Sequence, residues 1–256
     1  MKILITGGAG FIGSNLTKRL VQEGHEVIVL DNLLRGNKID KETFKQIQFI
    51  NGDVCDFELV SELTQGIDVI YHFAAVLGVD VVADNPVLTM DVETIGTRNV
   101  VRAALTNNVK KILYASTSGI YSHSAIVNVL TEEVLVDPRT SYAMAKRYNE
   151  IYLASTFEEK GLHAISLRFF NVYGANQDNR MVIPRFFEQA EGGKDITVFG
   201  DGKQTRDFTW IDDTVEACVR LLYVDGYHIV NIASEKEWNI ETVAKNIKEI
   251  THSNSK

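Results

Sequence analysis

Cysteine is scarce: Cys55 and Cys218 are the only two in 256 residues. They lie far apart and show no metal-ligand spacing, which excludes a disulfide framework or a cysteine metal site. Both read as small buried hydrophobes. Long apolar runs are also missing. No stretch approaches the about 20 apolar residues of a membrane span. The opening MKILITGG has neither the apolar core nor the cleavage site of a secretory leader, so a cytoplasmic protein is expected. Positive charge is the minority sign, with 26 Lys and Arg against 34 Asp and Glu and a net charge of −8. That argues against a broad basic face for nucleic acid, but a nucleotide ligand needs only a few local donors for its phosphates. No His/Asp/Glu cluster suggests a metal, and no linker, low-complexity tract or repeat divides the chain.

What is present is an alternation. Short β-branched runs stand at 3–6, 26–31, 47–52, 69–74, 111–116 and 164–169, with helical stretches between them. Runs apolar throughout suit a parallel sheet covered on both faces. The expected fold class is therefore α/β, a doubly wound parallel Rossmann sheet. After Asn171 the rhythm changes to loops, short strands and helices near 183–191, 211–222 and 240–250. The division expected is 1–170 for the Rossmann domain and 171–256 for a small lobe, with an intermixed boundary.

TGGAGFIG begins at Thr6, directly after the first strand and before a helix opened by Phe11 and Ile12. Gly7, Gly10 and Gly13 would serve a tight turn, close approach to a pyrophosphate, and close helix–strand packing. The helix N-terminus offers unpaired N–H groups to phosphates. Asp31, followed by Asn32, ends the second strand where a carboxylate accepts from ribose hydroxyls and repels a 2′-phosphate. NAD is favoured over NADP, although Arg35 stands close enough to accommodate that phosphate. Asp53 and Val54 are placed for the adenine, and Asp53 could equally be a helix cap. Phe73, Ala74 and Ala75 leave room for the cofactor, or are simply core.

SYAMAK places Tyr142 and Lys146 at i and i+4, on one helix face. A phenol titrating near 10 must be depressed to accept a proton at neutrality, and an adjacent ammonium and a positively charged nicotinamide ring have the right sign for that. Such a phenolate would take the proton of a sugar hydroxyl while the carbon is oxidised.

TGGAGFIG, GDV (52–54), HFAA (72–75), ASTSGIY, YAMAK, LRFFNVYG (167–174), VIPRF (182–186) and GDGKQTRDFTWIDD (200–213) resemble, in order, the extended short-chain dehydrogenase/reductase family. More narrowly, they resemble its NAD-dependent nucleotide-sugar epimerases and dehydratases. The resemblance implies Tyr142 as base, Lys146 as its pKa modifier and ribose ligand, and Thr117 as sharer of the sugar proton. It implies Ser118 against the sugar, and Asn171 and Arg206 on the diphosphate of a nucleotide-sugar substrate. Taken alone, Thr117 could cap a strand end, Asn171 could hold a turn and Arg206 could pair with Asp207. Relatives that eliminate water resemble Thr-Asp-Glu at 117–119, and decarboxylating relatives usually keep a Glu at the second place after the Thr. Here Ser118 and Gly119 follow, which points to C4 epimerisation of a UDP-glucose or UDP-N-acetylglucosamine type sugar. The alternatives are a dehydratase or decarboxylase, or a non-catalytic NAD-binding protein. Relatives continue several dozen residues further, so the expectation is either an incomplete sequence or a member with a shortened small lobe. The segment 76–87 is expected at the substrate cleft. His72, His123 and His163 are expected to be structural. The helices over 86–107 and 142–160 are expected to pair two copies into a homodimer.

Overall fold

The computed structural model describes residues 1–76, 82, 84–122 and 129–255. The chain forms two compact units, Met1–Phe169 with Val215–Ile232, and Phe170–Thr214 with Ala233–Lys256. In the first unit, seven parallel strands make one sheet: β1 (Lys2–Thr6), β2 (Glu26–Asp31), β3 (Gln48–Asn51), β4 (Val69–His72), β5 (Lys111–Thr117), β6 (His163–Phe169) and β9 (Tyr227–Ile232). Their spatial order is β3-β2-β1-β4-β5-β6-β9. Ile3, Leu4 and Ile5 of β1 are fully buried, as the unbroken apolar run requires when helices cover both faces. One face packs Leu4, Leu30, Ile70 and Ile112 against Val60, Val100, Ala104 and Leu153 from the helices. The strand order reverses between β1 and β4, so the crevice at their carboxyl ends is where a doubly wound sheet takes its ligand.

The helices of this unit include α1 (Phe11–Gln22), α2 (Lys41–Phe44), α3 (Phe57–Leu63), α4 (Pro86–Met90), α5 (Thr97–Thr106) and α6 (Ser141–Lys160). The stretch expected as one helix over 86–107 is helical without interruption from Pro86 to Thr106, but its winding changes part-way. Asp91–Gly96, between α4 and α5, is π-helical. A π turn rotates the residues before it relative to those after it, and such turns recur at functional sites. Gly96 permits this one to lie on the sheet side, because a Cβ there would meet Val54 Cγ2 at 2.7 Å.

The chain first passes between the units at 169/170, one residue from the expected division, and it then crosses back. Residues 215–232 return to the first unit, where β9 pairs with β6 from Ala164↔Tyr227 to Phe169↔Ile232. The second unit has a three-stranded sheet of β7 (Asn171–Tyr173), β8 (Thr205–Trp210) and β10 (Glu237–Asn239), ordered β10-β8-β7. Its core joins Phe186 and Ala190 of α7 (Val182–Glu191) to Phe208 and to Ile240 and Ile247 of the helix Ile240–Ile250. Among the described residues, no helix is long and apolar enough to cross a membrane, and no group of three His, Cys, Asp or Glu could hold a metal.

Candidate active site

The glycine turn is shaped by contacts that no side chain would survive. Gly7 has φ +71°, and a Cβ there would lie 2.6 Å from both Ala74 N and Phe73 C. A Cβ on Gly13 would lie 2.2 Å from Gly7 O. Gly10 precedes α1 in extended conformation and supplies no side-chain cap. The amides of Phe11, Ile12 and Gly13 thus open the helix without a capping side chain or an acidic residue in its first turn. That is an anion site by construction. Asp31, at the end of β2, accepts from Ala9 N (2.9 Å) and Leu33 N (2.8 Å). Burial holds its carboxyl above its ordinary range, with those two amides opposing. Asn32 donates to Asp53 Oδ2 (3.0 Å), and Asp53 accepts from Cys55 N (2.8 Å). Val54 is buried beside them. Cys55 is only half-buried and Cys218 fully buried, so the expectation of two buried thiols holds for Cys218 alone. Phe73 is buried, and Ala74 and Ala75 are half-buried, just past β4.

His72 is structural. Thr97 Oγ1 donates to Glu93 O (2.6 Å), so it accepts from His72 Nε2 (3.0 Å), and His72 Nδ1 then accepts from Thr6 Oγ1 (2.7 Å). Thr6 Oγ1 in turn accepts from Ala74 N (3.2 Å). Burial, with the Lys146 charge adding to it, pushes this imidazole down to about 3. The network ties β1, β4 and the π-helical segment together under the glycine turn. His163 Nδ1 accepts from Gly226 N (2.6 Å) and is structural as well. His123 lies outside the described residues, as do 77–81 and 83 of the 76–87 segment.

At the end of β5, Thr117 is extended and its hydroxyl accepts from Gly119 N (3.1 Å). Thr140 caps α6, and Tyr142 and Lys146 follow in its first two turns. Tyr142, half-buried, has its phenol pushed well above the ordinary value, first by burial and then by the Glu93 carboxylate. A hydrogen bond with Thr117 works the other way. In the chain alone Lys146 does not offset this rise, and the reason is visible. Lys146 Nζ stands 2.9 Å from Glu93 Oε2, and each side chain is 1% exposed. The ammonium is answered by a carboxylate before it can act on the phenol. Ser118 is half-buried in the 3-10 turn Ser118–Ile120.

Within the second unit, Asn171 and Arg206 are both exposed. Asn171 Nδ2 donates to Asp207 O (3.0 Å), and Arg206 Nη1 donates to Thr205 O (2.7 Å). Arg206 lies opposite Trp238 in the β8–β10 pairing. The alternative of an Arg206–Asp207 pair does not occur, because the Asp207 carboxylate accepts from Ser234 N and Oγ.

The sequence profile described as the NAD-dependent epimerase/dehydratase family matches residues 3–233. The chain belongs to this family. It is 39% identical to a UDP-N-acetyl-alpha-D-glucosaminuronate decarboxylase of Bacillus cytotoxicus, over 100% of this chain and 82% of that protein. The solved UDP-glucose 4-epimerase of Thermotoga maritima, with UDP-glucose, superposes with a TM-score of 0.92 at 30% identity, covering 100% and 84% of the two chains. The Thermus thermophilus UDP-glucose 4-epimerase in complex with NAD gives 0.90 at 30% identity, covering 100% and 85%.

The cofactor of the family is NAD, and the residues present fit it. The turn that admits no Cβ and the uncapped helix start suit its phosphates, and the Asp31 carboxylate suits its ribose. The Lys146 ammonium, buried without a well-aligned hydrogen bond, still has donors to give. Sequence reasoning missed Glu93. A signal existed: Thr89, Glu93 and Thr97 recur every four residues in a helical stretch, and all three are buried. Polar groups on an inward stripe beside the apolar Val100, Val101 and Ala104 need partners.

Proposed function

We propose that this family member epimerises a nucleoside-diphosphate sugar at C4, of the UDP-glucose or UDP-N-acetylglucosamine type. The observation that carries the reading is Tyr142 beside Thr117 with no acid in the two places after it. Gly119 has no positive φ, and among the described residues a Cβ there would meet Thr117 alone, Oγ1 at 3.3 Å and Cγ2 at 3.7 Å. The backbone therefore does not demand glycine, and the missing carboxylate reflects chemistry rather than conformation. Glu93 is a carboxylate nearby, but it is buried against Lys146 and out of a substrate's reach.

Bound NAD supplies reversible two-electron oxidation at C4. Tyr142 Oη accepts the C4 hydroxyl proton and returns it, and Thr117 hydrogen-bonds that phenol and shares the proton. Lys146 orients the cofactor, Ser118 contacts the sugar, and Asn171 and Arg206 hold the diphosphate. One proton-transfer group suffices for oxidation and reduction at a single carbon. Elimination or decarboxylation also has to manage C5. A second reading, decarboxylation of a UDP-hexuronate, is favoured by the 39% identity to the Bacillus cytotoxicus protein.

Proton NMR in deuterated water separates the two, using UDP-glucose, UDP-N-acetylglucosamine and UDP-N-acetylglucosaminuronate with NAD. The expected product is a C4 epimer with no deuterium on carbon. A product that has lost its carboxylate and carries deuterium at C5 would establish the decarboxylase instead.

We further propose a homodimer. Met144, Tyr148 and Ile151 form an exposed apolar stripe on α6, and Val87, Leu88 and Ile95 are exposed on α4 and the π-helical segment packed against it. Contiguous apolar exposure on this scale marks an interface. Sedimentation is expected to show a dimer for the native chain and a monomer for Ile151→Glu.

A further inference from the structure

The Lys146–Glu93 pair has a consequence that proton transfer by Tyr142 does not use. The pair is almost wholly buried, 2.9 Å apart. Lys146 Nζ makes no hydrogen bond of good angle, so its hold on Glu93 is electrostatic and its N–H donors are open. It lies 4.7 Å from the Tyr114 ring centroid and 5.4 Å from that of Tyr142, between the carboxylate and the reacting phenol. We propose that Glu93 is a positioning residue that trades Lys146 for a proton: it holds the ammonium in the cofactor-free protein and takes a proton from solvent when Lys146 turns to the NAD ribose.

The groups facing Glu93 decide this. From β4 comes His72, neutral because both ring nitrogens are committed to threonine hydroxyls. From β5 comes Tyr114, a buried phenol bonded by Asn149 Nδ2 (2.8 Å) and pushed far up by burial and then by Glu93. From α6 come Tyr142, Lys146 and Glu150, the last already matched by Arg168 and Arg147. Asp91 and Arg98, on the same helical stretch, are exposed at the surface. Among the described residues, Lys146 is thus the one cation that answers Glu93. Burial pushes the Glu93 carboxyl up, and Lys146 holds it back. When Lys146 leaves, burial goes on pushing the carboxyl up, opposed only by the lesser hydrogen bond from the Val76 amide, and a carboxylate without counterion in a dry site neutralises rather than persist.

The sign follows by linkage. The NAD-bound state holds one proton more, so NAD binds more tightly as pH falls. Its affinity drops tenfold per pH unit over the range between the two Glu93 titrations. The proton ends on a Glu93 oxygen, and no bond between heavy atoms forms or breaks. Removing the Glu93 charge also strips Tyr142 of a neighbour that holds its proton on, so cofactor binding readies the base.

The inference rests on NAD binding and on the placement of Lys146 toward it, not on which sugar reaction follows. It is tested by calorimetric titration of NAD into the cofactor-stripped full chain at pH 7.5, in buffers of differing ionisation enthalpy. Tyr142→Phe serves as the background, so that the phenol cannot supply the proton. Uptake close to one proton per NAD is expected there, and none after adding Glu93→Gln. Lys146→Met gives an independent control if that variant does not fold, because Glu93 is then protonated before NAD arrives and uptake again vanishes. NAD binding without uptake in the background chain overturns the proposal, as does uptake that persists in either control. Absence of NAD binding would overturn the cofactor premise with it. Neither result bears on epimerase against decarboxylase, which the NMR products decide.

Discussion

Tyr142→Phe is expected to lower kcat by about 10²–10⁴-fold, the usual share of a positioned proton-transfer group. The change deletes one oxygen and leaves the ring in place. The phenol's bond with Thr117 is lost, but Thr117 keeps Gly119 N at 3.1 Å and its place at the end of β5. Stability should fall by only about 1 kcal/mol, the net worth of one hydrogen bond. NAD affinity should be nearly unchanged, since the glycine turn, the start of α1 and Asp31 are untouched. Steady-state turnover with the sugar identified by NMR, beside a thermal melt, checks all three. An unchanged kcat in a folded, NAD-binding variant would remove Tyr142 from the chemistry.

The largest stability effect is expected at a carboxylate that meets no substrate. Glu150, on α6, is fully buried and accepts four hydrogen bonds. These come from Ser116 Oγ (2.6 Å), Arg168 Nε (2.9 Å), Arg168 Nη2 (2.9 Å) and Arg147 Nη1 (2.9 Å). Arg168, on β6, is almost as deeply buried. It spends Nη1 on Tyr121 Oη (2.7 Å), which donates to Asn231 Oδ1 (2.8 Å) on β9. One carboxylate thereby fixes α6 to three strands of the sheet. Glu150→Ala leaves the guanidinium buried and unmatched, at a cost of about 3–5 kcal/mol. For a chain of this length that lowers the melting temperature by about 10 °C. The pair Glu150→Leu with Arg168→Met removes both charges and is expected to recover part of the loss. A melt of Glu150→Ala within a degree or two of the native chain would show the network to be dispensable.

The parts read correctly from sequence are those where local chemistry and burial agree. Six apolar runs became six strands because a parallel sheet, covered on both faces, leaves no polar alternation to confuse the pattern. Gly7 and Gly13 were legible because nothing but glycine fits a turn pressed against Phe73, Ala74 and Gly7 O. The misses have physical causes too. Residues 227–232 fell within the lobe expected over 171–256, and only their parallel pairing with β6, distant in sequence, assigns them to the large sheet. The π-helical segment keeps a helical composition, so its extra residue leaves no trace in periodicity. The surroundings of Tyr142 were legible only in part, because the i, i+4 spacing to Lys146 was visible, while the Glu93 that answers the ammonium lies on another helical segment. For Arg206, the structure adds that it bonds a backbone carbonyl rather than its acidic neighbour.

The return of the chain at Val215 to finish the first unit bears on how the molecule is made. A ribosome releases β6 well before β9, so the outer edge of β6 waits with its backbone groups unpaired while residues 170–226 emerge. Closing that loop carries an entropic cost that grows only logarithmically with its length, about 0.6 kcal/mol for each doubling. The intervening segment is therefore cheap to span but slow to arrive, and a bare edge is the part of a nascent sheet most open to pairing with another chain. Completion of the nucleotide-binding sheet is thus a late event in synthesis, set by the last of its strands.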